Sequence, residues 1–195
     1  MIKTTESLLA ELKDYSQPIN KIHRLINDNR LFPLRRGLYE TQRNVNPFYL
    51  SGSICSPSYI SFETALSYYD MIPETVYTIK SATYKKNKKK EYKNAFGNYL
   101  YQDISPEAFP YGIETIVENG YSFRIASKEK AVCDTLSKAR KLRNRKELLE
   151  YLFDDMRIDN SCIDSLNREE IEFIKDKYSS RNVKLLNDLL KEIST

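Results

Sequence analysis

Residues 57–74 read "PSYISFETALSYYDMIPE". A proline-serine opening leads into two apolar residues, Tyr59 and Ile60, and then into Ser61-Phe62-Glu63-Thr64-Ala65. That order is a helix start with Ser61 as its N-cap. A short tyrosine-rich helix over about 61–70 follows, and Ile72-Pro73 stops it. The stretch holds no evident nucleophile, metal ligand or phosphate cradle. Tyr59, Ile60, Phe62 and Ala65 are expected to pack a core, which makes the segment scaffold.

Toward the N-terminus, "NPFYLSGSICSPSY" (46–59) reads as a turn-rich connection and a domain boundary. Before it, "RLFPLRRGLYE" (30–40) reads as two short strands turned around Arg35-Arg36-Gly37. Pro18 suits a first helical turn, and Ile19, Ile22, Leu25 and Ile26 then form an apolar stripe. This helix ends near Asn27-Asp28-Asn29. An earlier helix, "TESLLAELKDY" (5–15), carries Leu8, Leu9, Leu12 and Tyr15 at helical spacing, capped by Thr4 or Thr5. Helix, tight turn, helix and basic hairpin give the outline of a winged helix-turn-helix. It is abbreviated, with two helices before the wing where a full one has three. Lys21 and Arg24, with His23 and Asn20, lie on the polar face of the second helix, and Arg35 and Arg36 occupy the hairpin tip. In a winged module the helix enters the major groove and the wing meets phosphates. The plainer reading is a small helical cap with an ordinary charged face.

Toward the C-terminus, "ETVYTIKSATY" (74–84), "GNYLYQDI" (97–104) and "YGIETIVENGYSFRIAS" (111–127) read as strands, with Glu118-Asn119-Gly120 as a hairpin turn. Lys85-Lys86-Asn87-Lys88-Lys89-Lys90 reads as an exposed loop or insert. Ser127 caps the helix "KEKAVCDTLSKARKL", with Ala131, Val132, Leu136 and Ala139 facing the core. Its basic end comprises Lys138, Arg140, Lys141, Arg143, Arg145 and Lys146, in part complementing the helix dipole. "KELLEYLFDDM" (146–156) is a further helix. Asn167 with Glu170 suggests a capping box, and Leu166 with Ile171 a hydrophobic staple. The last helix shows Val183, Leu186, Leu189, Leu190 and Ile193 on one face.

The single histidine, His23, leaves no His-based triad and few zinc-enzyme sites. The five glycines are scattered and form no phosphate loop. Glu129 and Asp134 lie five residues apart, about 140° round a helix, and read as an exposed helix face. Asp154-Asp155 read as a solvated helix end. No catalytic residue, cofactor or metal site is expected, and fifteen tyrosines with no Trp suit a Tyr-rich core and interface. No apolar run reaches the roughly 20 residues of a membrane span, the N-terminus lacks the look of a secretory signal, and Cys55, Cys133 and Cys162 show no disulfide framework or zinc spacing. A cytoplasmic protein without membrane partners is expected. Net charge is +3 over residues 1–50, +6 over 51–146 and −5 over 147–195. Such a basic body with an acidic end suits a nucleic acid on one side and another partner elsewhere; a merely solvated surface is the alternative.

Four segments taken in order, "LRRGLYE", "PSYISFETALSYYDMIPE", "YTIKSAT" and "FRIASKEKAVCDTL", resemble the AbiE-type antitoxin family of bacterial abortive-infection loci. The resemblance covers about residues 18–140. It implies an α+β fold: a winged-helix DNA-binding module over 1–45, then a mixed α/β antitoxin domain over 46–195, β-rich at 74–127 and helical at 128–195. It also implies a non-enzymatic antitoxin that binds operator DNA, represses its own transcription and counteracts a nucleotidyltransferase-like toxin encoded alongside. The DNA role falls on Lys21, His23, Arg24, Arg35 and Arg36. Lys138, Arg140, Lys141, Arg143 and Arg145 are candidates for nucleic-acid or toxin contact. The competing readings are a stand-alone winged-helix regulator and a protein-interaction module that has lost DNA binding.

Overall fold

Three short strands and two helices occupy the first 40 residues. β1 (Ile2–Thr4) enters α1 (Thr5–Glu11), capped by the Thr4 side chain on the Ser7 amide. α2 (Pro18–Asn27) begins on its proline. The hairpin of β2 (Phe32–Arg35) and β3 (Leu38–Glu40) turns at Arg36-Gly37. The sheet order is β1-β3-β2, all antiparallel, so an N-terminal strand not expected from the sequence braces the hairpin. Leu8, Ile22 and Leu31 form a small core of their own beneath the helices. Leu34, Leu38 and Val45 belong instead to the main core of the protein. This computed structural model describes residues 1–118 and 121–192.

The expected connection at 46–59 contains a helix, α3 (Pro47–Ile54). Asn46 caps it by accepting from the Phe48 amide at 3.0 Å, and Pro47 takes the first position. The helix has no polar stripe to reveal it, because it lies on the sheet: Tyr99 and Tyr101 donate to the carbonyls of Pro47 and Ser51 at 3.2 and 2.8 Å.

The main sheet comprises β4 (Tyr59–Ile60), β5 (Thr78–Thr83), β6 (Lys90–Asn94), β7 (Gly97–Asp103), β8 (Ile113–Glu118) and β9 (Tyr121–Ala126). Its order is β6-β7-β5-β4-β9-β8. The short β4 sits at its centre, antiparallel to β5 and parallel to β9, with Ile60 opposite Ile125. β8 and β9 form the expected hairpin, pairing Glu118 with Tyr121; the turn residues Asn119 and Gly120 lie outside the described residues. Lys85, Lys88 and Lys89 lie exposed in the β5–β6 loop, which is anchored by the Lys86 and Asn87 amides on Asp103 Oδ2 at 2.7 Å.

From β4 the chain turns sharply into α4 (Phe62–Tyr68). Phe62 carries the turn at φ +56°, an unusual conformation for an aromatic residue, and its buried ring anchors it there. Ser61 is the N-cap by position, but its side chain does not cap the helix; it donates to Asp134 instead.

α5 (Lys128–Lys138) is the centre of the molecule, packed against α4, β9, α8 (Arg168–Ile174) and α9 (Arg181–Glu192). Every residue from Glu129 to Leu136 is buried. The expectation that Glu129 and Asp134 lie on an exposed face is therefore corrected. The helix also ends at Lys138 rather than near Leu142. Asn182, buried on α9, takes the Leu136 and Arg140 carbonyls at 3.0 and 2.9 Å and accepts from the Leu142 amide at 3.0 Å, which fixes the chain in a non-helical path. Beyond it, α6 (Arg145–Glu150) runs into one π-helical turn (Tyr151–Asp155), with Asp154 and Asp155 exposed. α7 (Asn160–Asp164) was not expected. Asn167 caps α8 as expected, but Glu129, not Glu170, accepts from the Asn167 amide, at 2.7 Å. Leu166 and Ile171 are both buried. Val183, Leu186, Leu189 and Leu190 of α9 are buried, while Ile193 lies outside the described residues.

Candidate functional site

The apolar stripe of α2 turns Ile22 into the small core, and its opposite face carries Asn20, His23, Arg24 and Asn27, all exposed. Lys21 sits at the flank of that face, half-buried, with its ammonium 5.2 Å from the centre of the Tyr15 ring. On the hairpin, Leu34 and Leu38 point into the main core, so the alternation of a strand sends Arg35 outward. Arg36 follows in the turn, also exposed. The Arg35 guanidinium donates to the Arg36 carbonyl at 3.4 Å. Among the described residues, none of Lys21, His23, Arg24, Arg35 and Arg36 forms an ion pair. Unpaired cations at a hairpin tip and a polar helix face in one small module can meet phosphate oxygens and groove edges without first breaking internal pairs.

The second expected cluster is arranged differently. Lys138 is in the last turn of α5, where a cation complements the dipole. Arg140, Lys141 and Arg143 lie on the non-helical link. Arg145 and Lys146 occupy the first turn of α6, the wrong end for dipole complementation. Arg140 and Arg143 share Glu147, at 3.6 and 3.7 Å. Arg145 pairs with Glu192, and Lys146 lies 3.8 Å from Glu150. Lys141 and Lys138 are exposed, and Lys138 lines a polar cleft with Lys80, Lys89 and Glu63. The six cations are thus one segment but not one free surface.

A buried polar network on α5, not among the expected sites, lies at the centre of the molecule. Lys130 and Asp134, one helical turn apart, are both 0 % exposed, with Nζ and Oδ1 3.5 Å apart. Asp134 accepts from Tyr59 at 2.9 Å, Ser61 at 2.7 Å and Tyr178 at 2.6 Å. Lys130 donates to Tyr178 at 2.7 Å and to the Ala108 carbonyl at 2.6 Å. Burial lowers the Lys130 ammonium below its ordinary value, with Asp134 pulling the other way. Burial, reinforced by the Asp134 carboxylate, pushes the Tyr59 and Tyr178 phenols well above theirs. Glu170 is raised as well, by burial first and against its hydrogen bond from Ser127. Gly112 makes room for this cluster: at φ +62° it passes so close that a Cβ would lie 2.8 Å from Lys130 Cβ and 2.9 Å from Glu170 Oε1.

Tyr59, Ser61, Lys130, Asp134 and Tyr178 are all buried, and all have internal partners. The network joins β4, the sheet and the C-terminal helices, which is a structural task. The signal for it was present in "KEKAVCD", where a Lys-Asp pair at i,i+4 is interleaved with Ala, Val and Cys instead of with other charges. Cys133 is wholly buried, and burial raises its thiol far above the ordinary range, so it is unreactive packing. Among the described residues no group of three or more His, Cys, Asp or Glu side chains could hold a metal, and no helix is long and apolar enough to cross a membrane.

No protein-family model matches the chain, and no curated protein matches it.

Proposed function

We propose that the protein is an operator-binding autorepressor of the AbiE-type antitoxin kind, which counteracts a nucleotidyltransferase-like toxin encoded alongside it. The observation that carries the DNA-binding half is the state of Arg35 and Arg36: exposed, unpaired and held at the tip of a hairpin that β1 braces from behind. A braced tip loses little freedom when it meets a phosphate. The Asn20, His23, Arg24 and Asn27 face of α2 has the hydrogen-bonding groups to read base edges. The antitoxin half rests on the four ordered segments "LRRGLYE", "PSYISFETALSYYDMIPE", "YTIKSAT" and "FRIASKEKAVCDTL". On this reading the second and fourth are scaffold, since they supply Tyr59, Ser61, Lys130 and Asp134 to the buried network. Toxin contact then falls to the surface, with Lys138 and Lys141 the cations of the basic segment that carry no ion pair among the described residues.

The test is a salt titration of binding to the protein's own promoter fragment. Replacing Arg35 and Arg36 by Ala removes about two phosphate contacts and flattens the slope of log K against log salt by about that number. Unchanged affinity and slope would remove the hairpin from the interface. Co-expression with the product of the adjacent gene, scored as growth rescue, tests the antitoxin half separately.

A further inference from the structure

A cleft of about 180 Å³ opens beside Ser53, Ser58, Tyr59, Ser122 and Arg124, over the backbone of Gly52. Three features of it are independent of one another. Gly52 lies within α3, where glycine is a weaker helix former than alanine. Its φ is not positive, and a Cβ there would meet nothing within 4 Å, so neither backbone nor packing asks for glycine. What the glycine does is leave the floor of the cleft open to close approach. Secondly, Ser58 is only 4 % exposed, and its hydroxyl has no hydrogen-bond partner among the described residues. A buried hydroxyl left unsatisfied is costly. Thirdly, Arg124 is exposed on β9, and among the described residues it has no ion pair and no acidic side chain lines the cleft.

We propose that this cleft binds a phosphoryl group. The planar fork of Arg124 suits two of its oxygens, and the exposed Ser53 and Ser122, with the unpartnered Ser58 beneath them, line the same cleft and supply hydroxyl donors for the others. A carboxylate has two oxygens and leaves the hydroxyls underused; a tetrahedral phosphoryl group presents acceptors in several directions at once. The volume admits the group itself, with any carrier remaining in solvent. Both free phosphate and the phosphate of a nucleotide offer this chemistry.

Calorimetric titration of the full chain with inorganic phosphate, and separately with uridine 5′-monophosphate, tests the site. We expect saturable binding that Arg124→Gln weakens at least about tenfold. Gly52→Leu should abolish it, because the new side chain fills the cleft, while the melting temperature stays at or above that of the parent. Tighter binding of the nucleotide than of inorganic phosphate assigns a nucleoside carrier, and equal affinities assign the free ion. The absence of saturable binding of either probe overturns the proposal. So does binding that Arg124→Gln and Gly52→Leu leave unchanged.

Discussion

The N-terminal module and helix α5 use the same residue types in opposite ways. On α2 and the hairpin, Arg24, Arg35 and Arg36 are exposed and form no ion pair among the described residues, while the apolar sides of these elements supply Ile22 to the small core and Leu34 and Leu38 to the main one. On α5, Lys130 and Asp134 are sealed from water and every polar atom they present has an internal partner. The difference teaches where to look for function in a chain with 30% charged residues. A charge with a full set of partners is scaffold, because removing it leaves those partners stranded. A charge with none is free to meet something else.

The sharpest way to break this contrast is Asp134→Ala. It leaves Lys130 buried without its counter-ion and three hydroxyls without an acceptor, and should cost about 3–5 kcal/mol by chemical denaturation. Lys130→Met combined with Asp134→Asn keeps an acceptor and removes both charges, so it should cost less than Asp134→Ala. Equal losses would mean that the charges themselves are not what the network balances. Phe62→Ala should fall in the same range, about 3–5 kcal/mol, and take both proposed activities with it. A stable Phe62→Ala protein lacking one activity alone would turn the stretch from scaffold into contact surface.

The pH dependence of stability follows from the same network. The folded-state pKa values of Tyr59 and Tyr178 lie above the unfolded value of about 10, raised by burial and by Asp134. Stability is therefore fully present below pH 10 and is lost as pH rises beyond it, since only the unfolded chain can release those protons. Lys130, lowered by burial, works the other way and favours the folded state as pH climbs toward its ordinary value of 10.5. A melting temperature that holds to about pH 10 and then falls steeply is expected, and an unchanged one at higher pH would mean that these phenols are not sealed.

On the exposed side of the contrast the effects on stability shrink. Arg35→Ala with Arg36→Ala should leave the melting temperature nearly unchanged while flattening the salt slope of promoter binding. Smallest of all is Arg143→Gln, since Arg143 is 86 % exposed and its pair with Glu147 spans 3.7 Å. Its cost should be under about 1 kcal/mol, and a larger loss in denaturation would show that the link between α5 and α6 depends on it.

What could be read from the sequence follows physical signals of period and punctuation. α2 was legible because Ile22, Leu25 and Ile26 recur at helical spacing after a proline, and the hairpin because Arg36-Gly37 separates two apolar pairs. The two segments 57–74 and 127–138 were recognised as elements, yet their purpose was hidden. Lys130 and Asp134 at i,i+4 look like an ordinary surface pair until the helices that cover them are in place. α3 was missed for the converse reason: its Gly-Ser content reads as a turn, and its outer side shows only the small Gly52 and Ser53 where a charged stripe would mark a surface helix. The end of α5 is set by Asn182, more than forty residues later, which no local pattern announces. The basic run at 138–146 was legible as charge, but its acidic partners Glu147, Glu150 and Glu192 were not legible as partners.

Tyr178 lies 44 residues beyond the Asp134 it satisfies. At a synthesis rate of about 5–20 residues per second, the ribosome needs roughly 2–9 s to travel from one to the other. Throughout that interval Lys130 and Asp134 lack the hydroxyl that they share in the folded protein. A chain ending before Tyr178 keeps that gap and also lacks α9, the helix that packs over α5.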